Sequence, residues 1–460
     1  MFKWLNKLVT SESSGDDAPA GKDSQESAPV EPSDAAVPTP VSMPVSRMIL
    51  LDRSAKIIGY EFVAKSSSQN HRANSADGSV QECEGLIRAV MEMGADRIAQ
   101  FREIWVSVSE ATIVGSCLDA MPASATMVLL TVNGHAPANP EAISAAKLLR
   151  AKGFRFGLVG FANRAAYLEW LPLIDVVALD INGFAADELA ATLDLLHGQR
   201  AGLKVLARRI DSYEEYEYCM AKGFDCFSGR FLTHRESWPP QPPLSPDRLR
   251  LCGLLNDLRG GGELSDVAAG MKLSPEISYR FLRYINSVGM GASSHIGSLE
   301  QGVLYLGREK LYRWLTLLMF NSADGNATDA ALLDQALVRG RLLELLGGDN
   351  MPRGQRDELF IVGMFSVLDV LLRMPLDLAV RPLQLPGPVT QALLTKSGPY
   401  AGLYRLTLAV EDGDAIAGEN AASLVMALAA ECGLTIEQVN ACQLEAVSWA
   451  QENLSAQAAG

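Results

Sequence analysis

Apolar residues recur along this chain in two rhythms, and the change between them falls near residue 240. From Arg47 to about Phe231, short apolar runs alternate with longer amphipathic stretches. Met48–Leu51 and Lys56–Val63 predict two strands joined by the polar turn Asp52-Arg53-Ser54. Further strands are predicted over Ile104–Val108, Met127–Val132, Phe154–Val159, Val176–Ile181, Lys204–Ala207 and Cys226–Phe227. Helical stretches such as Glu141–Lys152, Ala186–His197 and Tyr213–Ala221 lie between them. Strands alternating with helices build a parallel sheet under a helical layer, and near-continuously apolar strands are buried on both faces. Residues 47–235 are therefore expected to form an α/β domain, a TIM-like β/α barrel that is closed or partly closed. That span is short against the roughly 250 residues of a complete (β/α)8 barrel, so an incomplete or modified barrel is expected.

After Ser245 the strand signal disappears. Helices are predicted over Pro246–Asp257, Leu264–Met271, Ser274–Val288, Arg308–Phe320, Asp329–Leu346, Asp357–Leu372, Pro388–Leu394, Leu403–Ala409, Gly418–Cys432 and Thr435–Gln451. The best marked has Ser274 as N-cap, Pro275 in the first turn, Glu276 at the positive end of the dipole and Gly289 as stop. Its Ile277, Phe281, Tyr284, Ile285 and Val288 share one face. Residues 246–455 thus read as an all-α domain. The stretch 236–245, with Trp238-Pro239-Pro240-Gln241-Pro242-Pro243, is a stiff linker by composition.

Residues 1–46 are a tail. Thr10–Ser46 has six prolines, no aromatic residue, and seven acidic residues against one lysine. Such a segment buries too little apolar surface to offset its ordering entropy and is expected to be a disordered acidic tether. In Met1–Val9 the apolar residues are interrupted by Lys3, Asn6 and Lys7, so no signal-peptide core exists. A frayed apolar tail is the preferred reading of these nine residues, ahead of weak peripheral docking on a membrane or partner.

The net charge of -14 argues against nonspecific nucleic-acid binding. No apolar run approaches the roughly 20 residues of a membrane span. The seven cysteines, Cys83, Cys117, Cys219, Cys226, Cys252, Cys432 and Cys442, form no C-x-x-C pair. Their odd number argues against a disulfide framework or a zinc site and fits a reducing cytoplasm. They read as small buried hydrophobes.

Three segments carry a family resemblance. The strand Ile57-Ile58-Gly59-Tyr60-Glu61-Phe62-Val63 resembles the one that names EAL domains, with E-F-V for E-A-L. Lys222 to Phe231 is similar to the end of that domain, where the family has a glutamine before Gly229. Ser278 to Ser287, with Ile296–Ser298 and Val303–Arg308, resembles the HDOD domain. The resemblance implies a bacterial EAL–HDOD signalling protein.

Active EAL domains hydrolyse cyclic di-GMP with two divalent metals. Each hard cation wants about six oxygen ligands, and the pair must clamp an in-line displacement. The resemblance places the family glutamate on Glu61, the asparagine on Ser107 and a second glutamate on Leu129. The aspartate pair falls on Val159 and Gly160, and Phe154–Arg164 contains no acidic residue. Asp180 matches a retained aspartate, but the lysine two positions earlier is Ala178. The A-E-G-V-E segment reads Ala207-Arg208-Arg209-Ile210-Asp211, so an arginine replaces one glutamate and a shorter aspartate the other. Two carboxylates cannot hold two metals, so no catalytic residue, metal or cofactor is expected and metal-dependent hydrolysis is not. Arg208 or Arg209 is expected either to pair with Glu61 or Asp180 or to snorkel at the barrel lip.

The helical half lacks the ligands of HD phosphohydrolases, its only histidine being His295. Tyr279, Tyr284 and Trp314 read as core aromatics, and Gly260-Gly261-Gly262 as a flexible turn without phosphate-loop chemistry. Arg280, Arg283, Arg308 and Arg313 are candidates for a local basic patch, with ordinary ion pairs as the preferred reading. The function expected from the sequence is an inactive signalling scaffold acting through unidentified protein partners, with a homo-oligomer left open. The alternative is a sensor of cyclic di-GMP or another nucleotide, or a residual phosphodiesterase, at the barrel mouth.

Overall fold

A tight turn sets the topology of the first half. The Asp52 carboxylate accepts hydrogen bonds from the backbone N–H groups of Ser54 and Lys56 at 2.8 and 3.0 Å, an Asx-type turn in which Ala55 is left-handed with φ 55°. Strands β1 (Val45–Asp52) and β2 (Ile57–Ala64) accordingly pair antiparallel, since so short a connection cannot make a parallel crossover. The strands β3 (Glu103–Ser109), β4 (Thr126–Thr131), β5 (Arg155–Val159), β6 (Val176–Asp180), β7 (Lys204–Ile210) and β8 (Cys226–Gly229) follow in parallel, and β8 closes on β1. This is a computed structural model that describes residues 43–64, 76–132, 137–161, 165–199, 202–233, 246–286, 296–320, 327–411 and 421–458.

The barrel is closed and has all eight expected strands, so it is not incomplete in its sheet. It is short because a turn replaces a crossover helix between β1 and β2, and because crossover helices such as Glu110–Val114 and Ala165–Trp170 are brief. An all-helical part follows, from Pro246 to Ala458 among the described residues. No single helix described is long and apolar enough to cross a membrane, and the pair Ala422–Glu431 and Ile436–Glu452, which reaches that length together, is bent by 94°. Residues 1–42 and 234–245, with the apolar N-terminus, most of the acidic stretch and the Pro-rich linker, lie outside the described residues.

Several boundaries differ from the sequence reading. Strand β1 starts at Val45, inside the stretch read as tail, because the helix Ile436–Ala458 satisfies its backbone. Asn440 Oδ1 accepts from the Val45 N–H at 3.3 Å, and Gln443 Nε2 donates to the Val45 carbonyl at 3.0 Å. The predicted helix Asp357–Leu372 is two helices, Arg353–Phe365 and Leu368–Leu372. At the break, the Ser366 hydroxyl accepts from Arg339 at 2.7 Å and donates to the Gly363 carbonyl at 2.6 Å. Ser274 caps Pro275–Ile285 as expected, accepting from the Ile277 N–H, and Ile277, Phe281, Tyr284 and Ile285 are buried. Val288 and Gly289 lie outside the described residues. Tyr284 and Trp314 are core aromatics, their rings stacked 5.8 Å apart. Tyr279 is not: it is 61% exposed on the opposite face, with the Arg283 guanidinium over its ring. The cysteines are free; Cys219, Cys226 and Cys252 are buried and the other four are half-buried.

The barrel lumen is filled by its own small apolar cluster, including Leu50, Trp105, Met127, Leu129, Ala178 and Leu206. A Cβ on Gly157 would stand 2.5 Å from Leu129 Cδ2, so any side chain there would displace Leu129 from the lumen packing. A second, larger core runs without a break from Val45 and Tyr60 on the hairpin to Val447 and Ala450 in the last helix.

That continuity answers a local need. A barrel strand must be covered on its outer face, and the β1–β2 hairpin brings no helix between its strands. The helices Ala327–Leu346 and Ile436–Ala458 lie against it instead. Tyr60, fully buried, donates to Asp334 Oδ1 at 3.1 Å, and Gln451 Nε2 donates to Tyr60 Oη and Asp334 Oδ2 at 2.6 and 2.5 Å. The Arg47 guanidinium lies 4.8 Å from the centroid of the Tyr60 ring and donates to Gln335 Oε1 at 3.2 Å. Burial pushes the Asp334 carboxyl above its ordinary 3.8, against the opposing pull of Arg47, Gln451, Arg102 and Tyr60.

Two outcomes follow from this packing. A Cβ on Gly363 would stand 2.4 Å from the backbone of Gly340 in the crossing helix, so Gly363→Ala is expected to lose about 1–3 kcal/mol in urea unfolding. Between the ordinary value of 3.8 and the raised one, the folded state keeps a proton on Asp334 that the unfolded chain has released. Its contribution to stability is full below the ordinary value of 3.8 and is lost as pH rises through the raised one. Asp334→Asn should flatten that loss in unfolding midpoints measured across pH; an unchanged slope would contradict the assignment.

Candidate functional site

The functional end of a β/α barrel is where the parallel strands finish, since loops there can converge on one point. Side chains alternate along a strand, so with Tyr60 facing the helices, Glu61 faces the lumen. It is completely buried. Arg208 reaches it from β7, with Nη2 donating to Glu61 Oε1 at 2.6 Å, and the side chains of Arg208 and Glu61 are 15% and 0% exposed. The Ser107 hydroxyl donates to the same oxygen at 3.3 Å. A carboxylate this deep is stable only with a charge partner or a proton, and Arg208 supplies the partner.

Two more pairs stand beside it. Arg209 Nη1 is 3.2 Å from Asp180 Oδ2, both side chains half-exposed. Arg230 Nε donates to Asp211 Oδ1 at 3.0 Å. Local backbone explains the placement. The β7–β8 register shifts between Ala207 and Ile210, and Arg209 at that bulge is left-handed with φ 58°, where glycine is the comfortable residue. Asp211 is held by a capping box: Ser212 accepts from the Glu215 N–H, and Glu215 Oε2 accepts from the Asp211 and Ser212 N–H groups.

The structure thus brings Glu61, Ser107 and Arg208 into one contact and places Asp180 and Asp211 in separate pairs. Leu129 belongs to the apolar lumen with Val159 packed against it, and Gly160 ends β5 with φ 69°. Arg230 and the Tyr60–Asp334 contact were missed by sequence reasoning. One signal was available: Asp334 is a lone carboxylate within the apolar run Ala330 to Val338, a residue type that is buried only with partners.

A pair of divalent cations does not fit these side chains. Among the described residues no group of three His, Cys, Asp or Glu could hold one metal ion. Glu61 and Asp180 are each engaged by a guanidinium, while Leu129 and Val159 offer no oxygen.

The helical half carries no free basic patch among the four arginines singled out. Arg280 pairs with Glu276 at 2.5 Å and Arg313 with Glu344 and Asp357 at 2.7 and 3.0 Å. Arg308 donates to the Leu258 and Gly262 carbonyls at 2.5 and 2.7 Å, which fixes the glycine turn. Arg283 donates to the Tyr279 hydroxyl at 3.4 Å. His295 lies outside the described residues.

No family model matches the chain. It is similar to the Uncharacterized protein YuxH of Bacillus subtilis, 24% identical over 424 residues that cover 90% of this chain and 99% of that one. It is also similar to the Cyclic di-GMP phosphodiesterase CdgJ of Vibrio cholerae, 23% identical over 411 residues that cover 89% and 92% of the two chains. Among solved structures, an EAL domain protein from Listeria monocytogenes aligns with 42% of this chain and 88% of its own, at a TM-score of 0.34 and 14% identity.

Removing one member of a buried pair strands the other, so Arg208→Ala is expected to lose about 3–5 kcal/mol. Adding Glu61→Gln to an Arg208→Met variant should recover most of the loss in a double-mutant cycle. Arg209→Gly relieves a left-handed residue while losing an exposed pair, so its unfolding free energy should change by less than about 1 kcal/mol.

Proposed function

We propose that this chain is a signalling protein linked to cyclic di-GMP, an EAL-type barrel joined to an HDOD-type helical half, whose barrel does not hydrolyse the nucleotide. The Arg208–Glu61 ion pair carries the reading. It puts a permanent positive charge against the fully buried carboxylate of Glu61, where hydrolysis by the two-metal route requires several anionic oxygens around cations. The match to a Vibrio cholerae protein named a cyclic di-GMP phosphodiesterase, over nearly the whole of both chains, supports the link to that nucleotide. The apolar lumen and the other paired carboxylates are consistent with a barrel that acts by presenting surfaces. Output through contacts with unidentified protein partners completes the reading.

The test is a phosphodiesterase assay on the full chain with Mg²⁺ and Mn²⁺, accompanied by calorimetric titration with cyclic di-GMP. No turnover is expected with either metal. Turnover that disappears in Glu61→Ala would overturn the reading. Heat of binding without turnover would move the barrel from scaffold to sensor.

A further inference from the structure

One strand touches two of the places where this molecule buries ionisable side chains. Glu61 projects inward from β2 into the contact with Arg208 and Ser107. Tyr60, its neighbour in sequence, projects outward into the contact with Asp334 and Gln451. Phe62, the next outward residue, is also buried. The peptide unit between Tyr60 and Glu61 is shared, so a twist or slide of β2 that changes one contact changes the other.

We propose that β2 couples the barrel mouth to the helical half, with the Glu61–Arg208 pair at one end of the coupling and the Tyr60–Asp334–Gln451 cluster at the other. An anionic group at the mouth that recruits the Arg208 guanidinium is the input. Loss of that guanidinium leaves Glu61 buried and charged, and β2 must shift to rehydrate it or to find another donor. The shift is felt at Tyr60, whose hydroxyl is fixed by two side chains from two different helices. Such contacts are short and desolvated, and they respond to a small displacement by breaking rather than bending. The output is a change in how the helices Ala327–Leu346 and Ile436–Ala458 sit on the hairpin.

Arg209 provides an internal control. It is adjacent to Arg208 and equally cationic, but it pairs with Asp180 on β6 and has no contact with β2 among its hydrogen bonds and ion pairs. The coupling does not depend on whether the barrel cleaves a nucleotide, so its test and the phosphodiesterase assay fail separately.

The experiment is a three-way cycle on the full chain with Arg208→Met, Glu61→Gln and Asp334→Asn, read as unfolding equilibrium constants. The Arg208–Glu61 coupling is measured once with Asp334 present and once with asparagine there. A coupling that differs by threefold or more between the two backgrounds is the expected result. Equal couplings within error would overturn the proposal. Hydrogen exchange on the single variants gives a second readout if Arg208→Met folds poorly. In Glu61→Gln, exchange in 327–346 and 436–452 should quicken severalfold while the helix Gly387–Thr395 keeps its rate, and Arg209→Met should leave both regions unchanged. Changes confined to the barrel strands, or equal in Glu61→Gln and Arg209→Met, would contradict it.

Discussion

A strand in a β/α barrel has two faces to bury, and a hairpin brings no helix to cover the outer one. That constraint organises this molecule. Because β1 and β2 are joined by a turn, their outer face needs cover from elsewhere in the chain, and the helical half supplies it together with the barrel helix Ala76–Glu92. The core that results is continuous across both halves. The acidic and Pro-rich compositions flanking the barrel suggest loosely tethered domains when read alone. The packing of the helices on the hairpin gives a different mechanical picture, in which a force on the barrel sheet reaches the helices directly.

The centre of that cover is polar. Tyr60, Asp334, Gln451 and Arg47 meet where leucines would bury more cheaply. Such a cluster fixes one relative placement, because hydrogen bonds are lost by a small slip that an apolar contact tolerates. The amides of Asn440 and Gln443 act similarly on the free edge of β1, meeting the backbone of Val45 where β8 does not reach. Inside the barrel the same logic recurs on a smaller scale, with Arg208 answering the charge of Glu61.

Much of this was legible in the sequence, and the remainder has physical reasons. All eight strands stand out as β-branched or apolar runs between turn residues, and the N-cap of Pro275–Ile285 is spelled out by Ser274 and Pro275. The Arg208–Glu61 contact was one of two outcomes open to a cation at a strand end that faces a retained carboxylate. Closure of the barrel was not legible, because it depends on stagger between β8 and β1 rather than on local pattern. The break at Ser366 was hidden because apolar periodicity continues through it, and only the reach of Arg339 from another helix explains it. The early start of β1 was hidden for the same reason, since its partners lie almost 400 residues away, with a separation of 395 for Val45 and Asn440. Tyr279 misled because an aromatic at helical spacing defaults to the core, while an arginine one turn on covers its ring in solvent.

The account rests on the two halves forming one body through the hairpin face. A protease site placed between residues 236 and 245 of the full chain, cleaved under native conditions and followed by size-exclusion chromatography and urea unfolding, tests this most directly. The two fragments should elute together and unfold in one transition. Separation into two independently folded pieces, each with its own transition, would contradict it.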